Sequence, residues 1–128
     1  MAGSKGSKYY NIFLKFKVWL ENTDGEGILG DGKFELINQI DQLGSLKAAA
    51  DKIGISYRKA WGNVKDAEER LGFLLVEKHR GGQHGGKSVL TPEGKDLIEA
   101  YKDLLVEFDD AIYHITKKFF NRVNKVKE

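Results

Sequence analysis

Gly44-Ser45-Leu46-Lys47-Ala48-Ala49-Ala50-Asp51-Lys52-Ile53-Gly54-Ile55-Ser56-Tyr57-Arg58-Lys59-Ala60-Trp61 is the stretch whose reading decides the fold. Ser45 is a good N-cap for a short helix over 46–53, and Gly54 closes it. Ser56 caps a following helix that runs to about Leu71, closed in turn by Gly72. Two helices joined by Gly54-Ile55-Ser56 have the spacing of a helix-turn-helix. The three alanines allow close approach between the helices. Alanine is also the best helix former, so that run alone proves little.

Upstream, Phe34, Leu36, Ile37, Ile40 and Leu43 recur at helical spacing from Lys33 and stop at Gly44. Before them the period is two. Ile12, Leu14, Phe16, Val18 and Leu20 alternate with Asn11, Lys15, Lys17 and Glu21, which predicts a half-buried strand from Tyr9 to Glu21. Asn22-Thr23-Asp24-Gly25 supplies turn chemistry for a short return strand through Ile28-Leu29. Residues 1–8 are small and polar and read as a flexible lead.

Downstream, an apolar strand over Phe73–Glu77 leads into the basic, glycine-rich run 78–87 and then Val89-Leu90. Two strands bracketing such a loop directly after a helix-turn-helix describe a wing. Thr91-Pro92-Glu93 opens a long helix, with a cap, a proline at the first position and an acid in the first turn. Ile98, Leu105, Ile112, Phe119 and Val126 are seven apart, with Tyr101, Phe108 and Ile115 between them, a coiled-coil seam of about four heptads. A helix over 92–126 would be about 50 Å long, more than one small domain covers. The expected fold class is therefore α+β, mainly α. A winged helix-turn-helix with an N-terminal β-hairpin occupies 9–91, and a long dimerisation helix with a basic tail occupies 92–128.

Composition limits the partners. The 128 residues hold 21 Lys+Arg against 19 Asp+Glu, a formal charge of +2, which argues against a histone-like polycation. The charges are segregated, however. Residues 1–55 carry 7 basic and 7 acidic groups, 56–91 carry 7 and 4, 92–116 carry 2 and 7, and 117–128 carry 5 and 1. Hydrophobic residues at 41% suffice for one core, and the absence of cysteine excludes a disulfide framework and thiolate metal sites. No apolar run approaches membrane-spanning length and no signal-peptide pattern opens the chain, so a cytoplasmic domain is expected.

Gly81-Gly82-Gln83-His84-Gly85-Gly86-Lys87-Ser88 matches the phosphate-loop pattern letter for letter. That motif requires Ser88 to open a helix, whose N-terminus then faces the anion. Here Val89-Leu90-Thr91 follows, and the chain is too short for a doubly wound sheet. Nucleotide hydrolysis is rejected.

Gly30-Asp31-Gly32-Lys33, Gly44-Ser45-Leu46-Lys47-Ala48-Ala49-Ala50, Ser56-Tyr57-Arg58-Lys59-Ala60-Trp61, Leu75-Val76-Glu77-Lys78, Gly81-Gly82, Gly85-Gly86 and Leu90-Thr91-Pro92-Glu93-Gly94 fall in order. Together they resemble the N-terminal DNA-binding domain of the ModE-type molybdate-responsive regulators over about 12–110, and more distantly the DNA-binding domain of LysR-type regulators. The resemblance implies a winged helix-turn-helix, dimerisation through the long helix and transcriptional control. Lys33 stands where the family motif often has arginine. Full regulators of that family add a C-terminal molybdate-binding region. Room for one is lacking in 128 residues, so molybdate or another oxyanion is not an expected partner, and no cofactor is expected.

A recognition helix reads the major groove with its N-terminal residues. The first half of Ser56–Leu71 holds Arg58, Lys59 and Lys65 with no acid; the second holds Asp66, Glu68 and Glu69 against Arg70. Tyr57 and Arg58 are candidates for base contacts, Arg58 bidentate to guanine. Ser56, Lys59, Asn63 and Lys65 are candidates for phosphates or a neighbouring base, and Ser45 and Lys47 for a phosphate at the preceding helix start. Lys78, His79, Arg80, Gln83, His84 and Lys87 line the wing, suited to backbone or minor groove. Ile98, Tyr101, Leu105, Phe108, Ile112, Ile115 and Phe119 form the expected dimer interface. Trp61, beside Ala60 and Val64, reads as core, and His114 as a surface residue. His79 and His84 lack a third ligand for a metal, and no nucleophile–base pair indicates an enzyme. The expected function is a homodimeric, sequence-specific DNA-binding regulator of transcription, with double-stranded DNA as partner. The alternatives are a winged protein-interaction module and a repressor sensing a small oxyanion.

Overall fold

The computed structural model describes residues 8–79 and 86–125. They form two compact units, one spanning Val18–Tyr101 and the other bringing residues up to Lys17 together with those from Lys102 onward.

In the first unit, β1 (Leu20–Glu21) pairs antiparallel with β2 (Gly27–Leu29), Leu20 opposite Leu29 and Glu21 opposite Gly27. The turn is held by Asn22, whose Oδ1 accepts from the N–H groups of Asp24 (3.0 Å) and Glu26 (2.9 Å). The predicted strand from Tyr9 to Glu21 thus contracts to its last two residues. β2 has only three residues to offer, because Gly30 ends it and α1 (Asp31–Leu43) begins. Among the described residues upstream of Leu20 the only extended pairing is an isolated bridge at Phe13, and Ile12 and Phe16, assigned to a buried face, are exposed. A period of two needs a partner strand to become a ladder.

α2 (Leu46–Ile53) and α3 (Tyr57–Leu71) follow, with the caps the sequence implies. Ser45 Oγ accepts from Ala48 N–H at 3.1 Å and Ser56 Oγ from Lys59 N–H at 3.0 Å. Between the helices Gly54 sits at φ 88°, left-handed, and its N–H and that of Ile55 both reach the Ala50 carbonyl. An L side chain is strained in that conformation, so the sharp turn favours glycine. Leu36, Ile37 and Ile40 of α1, Leu46, Ala49 and Ala50 of α2, and Ala60, Val64 and Ala67 of α3 are buried with Leu29, Leu75 and Ile98. Of the alanine run, Ala49 and Ala50 occupy the core and Ala48 is half-buried, consistent with the close approach of the helices.

β3 (Val76–His79) and β4 (Lys87–Leu90) form the second antiparallel pair, Val76 opposite Leu90 and Lys78 opposite Ser88. β3 begins three residues later than the apolar run predicts. Buried Glu68 intervenes, its Oε2 accepting from Leu75 N–H (2.7 Å) and Val76 N–H (3.1 Å). α4 (Pro92–Val123) starts where Thr91-Pro92 requires. Thr91 Oγ1 accepts from Gly94 N–H at 2.9 Å and donates to the Leu74 carbonyl at 2.7 Å. A Cβ on Gly94 would lie 2.4 Å from Leu75 O, so α4 meets the residue before β3 this closely only through glycine.

The first turns of α4 belong to this core, which corrects two seam assignments. Ile98 is 1% and Tyr101 3% exposed, so neither is available to a second chain. Tyr101 packs on Phe34 (4.9 Å between ring centroids) and donates to the Val18 carbonyl at 3.1 Å; burial, then Asp31, raises its pKa. In the second unit Thr116 and Phe120 are buried. Leu105 and Ile112 are half-buried there, and Phe108, Ile115 and Phe119 are exposed. No helix among the described residues is long and apolar enough to cross a membrane.

Candidate nucleic-acid interface

The capping geometry leaves the start of α3 open. Ser56 supplies the acceptor for Lys59 N–H, and Tyr57, Arg58 and Lys59 are all exposed. Asn63 is half-buried, and Lys65 is exposed. At the start of α2, Ser45 Oγ is occupied as an acceptor, and Lys47 points to solvent.

β3 brings a further cation to this surface. Successive strand residues face opposite sides, so Lys78 lies on the side of buried Val76 while Glu77 and His79 face away. The Lys78 ammonium donates to the Tyr57 hydroxyl and stands 4.0 Å from the centroid of the Trp61 ring and 4.8 Å from that of Tyr57. Lys65 Nζ approaches the same indole at 5.4 Å. Tyr57, Lys65 and Lys78 are therefore brought together, around a residue the sequence assigned elsewhere. Trp61 is half-buried between two ammonium groups, not enclosed in the core. The missed signal is the spacing 57, 61, 65, one stripe of a helix.

The other wing residues separate. His79 is exposed, 3.9 Å from the Glu77 carboxylate, and pairs in register with exposed Lys87. Arg80, Gln83 and His84 lie outside the described residues. Ser88 is buried within β4, where its N–H donates to the Gly44 carbonyl (3.0 Å) and its Oγ accepts from Leu46 N–H (3.2 Å). It anchors the wing strand to the first turn of α2. A serine so engaged is not the helix-opening residue of a phosphate loop.

At the far end of α3 the charges serve the fold. Arg70 Nη1 donates to the Gly27 carbonyl at 2.6 Å, and its Nε lies 3.5 Å from Glu26. Lys33 Nζ reaches the same carbonyl at 3.4 Å. Burial, and then the Arg70 guanidinium, lower the Lys33 pKa against the opposing pull of Asp66.

The model for the bacterial regulatory helix-turn-helix proteins of the lysR family matches residues 32–95. The molybdenum-pterin-binding protein MopB of Rhodobacter capsulatus is 39% identical over 84 residues, 66% of this chain and 30% of that protein. The DNA-binding transcriptional dual regulator ModE of Escherichia coli K12 is 34% identical over 83 residues, 65% of this chain and 31% of that one. The chain thus spans about 30% of the length of the curated relatives it matches. Among solved structures, a BenM_DBD/benA site 1 DNA complex superposes with a TM-score of 0.53 at 26% identity, covering 69% of this chain and 95% of that one. The ModE resemblance and the helix-turn-helix fold read from the sequence both stand.

Proposed function

The chain belongs to the lysR family of bacterial regulatory helix-turn-helix proteins, and from that membership we propose that it binds double-stranded DNA sequence-specifically to regulate transcription. The observation that carries the reading is the first half of α3. Arg58 and Lys59 are exposed at a helix start, no acid occurs from Ser56 to Lys65, and Lys78 stands alongside. A helix N-terminus presenting guanidinium and ammonium groups fits the major groove, where arginine meets guanine bidentately. Lys47 and the start of α2 meet a phosphate, and the wing lies along the backbone or minor groove.

In this reading the protein acts as a homodimer through α4. Support comes from Phe108, Ile115 and Phe119, which the second unit leaves exposed, Ile115 at 55% and Phe119 at 47%. Exposed apolar surface of that kind marks an interaction site. Ile98 and Tyr101 take no part in it.

Selecting bound duplexes from a random pool, then titrating the selected sequence against salt, tests the proposal. A recurrent near-palindromic site is expected, with affinity falling steeply as salt rises. Weak binding to every duplex, unaffected by Arg58→Ala, overturns it. Light scattering of the wild type and of Ile115→Asp tests the dimer: two chains per particle are expected for the first and one for the second.

A further inference from the structure

An ammonium group has three donors and no acceptor, so in the Lys78–Tyr57 hydrogen bond the phenol oxygen accepts. With that role filled, the phenol proton points away from Lys78. Lys78 is itself held, by the inward side of β3 and by the faces of Trp61 and Tyr57 at 4.0 and 4.8 Å. A cation packed on aromatic faces keeps its place better than a free lysine. Tyr57 is nevertheless 46% exposed, so its hydroxyl is set to meet a partner.

We propose that Lys78 is a positioning residue that fixes the Tyr57 hydroxyl as an outward hydrogen-bond donor, making Tyr57 selective for an acceptor on the DNA. On a base edge in the major groove that acceptor is a purine N7, guanine O6 or thymine O4; on the backbone it is a phosphate oxygen. The amino groups of adenine and cytosine, which offer only donors, are disfavoured against an oxygen that already accepts from an ammonium. This inference rests on the DNA-binding reading above and adds a polarity to one of its contacts. A tyrosine without Lys78 would accept or donate and discriminate less.

The test uses the full chain and a duplex selected by the wild type. If the wild type selects none, the DNA-binding reading fails before this inference is reached. Given such a duplex, Tyr57→Phe and Lys78→Met are each expected to weaken binding about three- to tenfold, with the melting temperature unchanged. Lys78→Met made on top of Tyr57→Phe is expected to add much less than it does alone, and Lys78→Arg, which keeps a donor, retains the wild-type sequence preference. Repeating the selection with Lys78→Met distinguishes the two acceptors. Preference relaxed at one base pair per half-site assigns the acceptor to a base edge, whereas a loss uniform over sequences assigns it to phosphate. Losses from the two substitutions that simply add, or a Lys78→Met protein that binds as the wild type does, overturn the inference.

Discussion

The two halves of α3 use their charges in opposite ways. In the second half Glu68 accepts two backbone N–H groups of the following connection, and Arg70 grips the Gly27 carbonyl of the hairpin. In the first half the side chains of Arg58 and Lys59 are exposed, and Lys65 and Lys78 gather on the half-buried Trp61 ring. The difference teaches that charge on this helix is structural wherever a chain reversal needs satisfied backbone, and available to a partner where Ser56 already caps the end.

Glu68→Ala breaks that contrast most severely. Two N–H groups lose their acceptor in a buried place, and a loss of roughly 2–4 kcal/mol in urea unfolding is expected. Glu68→Gln, which keeps an acceptor oxygen, is expected to lose visibly less. Arg58→Ala should do the reverse: unfolding unchanged, but affinity for a selected duplex down by about 1–3 kcal/mol in an anisotropy titration. Equal damage to stability would deny the first half its separate role. Arg70→Ala is expected to cost only about 1 kcal/mol, since its side chain is 28% exposed and its ion pair is screened.

Lys59→Ala should be milder still, lowering affinity evenly across sequences and reducing the salt slope by about one counterion. An unchanged slope would leave Lys59 without a phosphate. The smallest effect concerns Lys33. Its pKa lies below 10.5 in the folded chain, so as pH rises the folded state loses that proton before the unfolded state does. Stability contributed at this site therefore grows as pH climbs through the folded pKa toward 10.5, and unfolding free energy compared with Lys33→Met should shift in favour of the wild type over that window. A flat difference would remove the cation pair at Gly27 from the account.

Much of the first unit was legible in the residues because its signals are local. Ser45, Ser56 and Thr91 cap the helices they precede, and Gly54 makes the turn the helix-turn-helix needs. The candidate interface was legible in part: exposure of Tyr57, Arg58 and Lys59 follows from position on a capped helix. Lys78 and Trp61 were harder, because their meeting depends on the distance between a strand and a helix far apart in the chain. Ser88, rejected from its sequence context as a phosphate-loop residue, proved to be a buried anchor of α2, again through a contact remote in sequence.

By itself the sequence determined the bounds of α2 and α3, the start of α4, the caps and the segregation of charge, since each depends on neighbours within a turn or two. Only the tertiary structure decided which periodic residues found partners. The alternation from Tyr9 to Glu21 became two residues of strand because β2 is too short to extend the ladder. The heptad seam of α4 lost Ile98 and Tyr101 to the chain's own core, because burial is assigned by whichever apolar surface is nearest in space, and periodicity cannot name that surface.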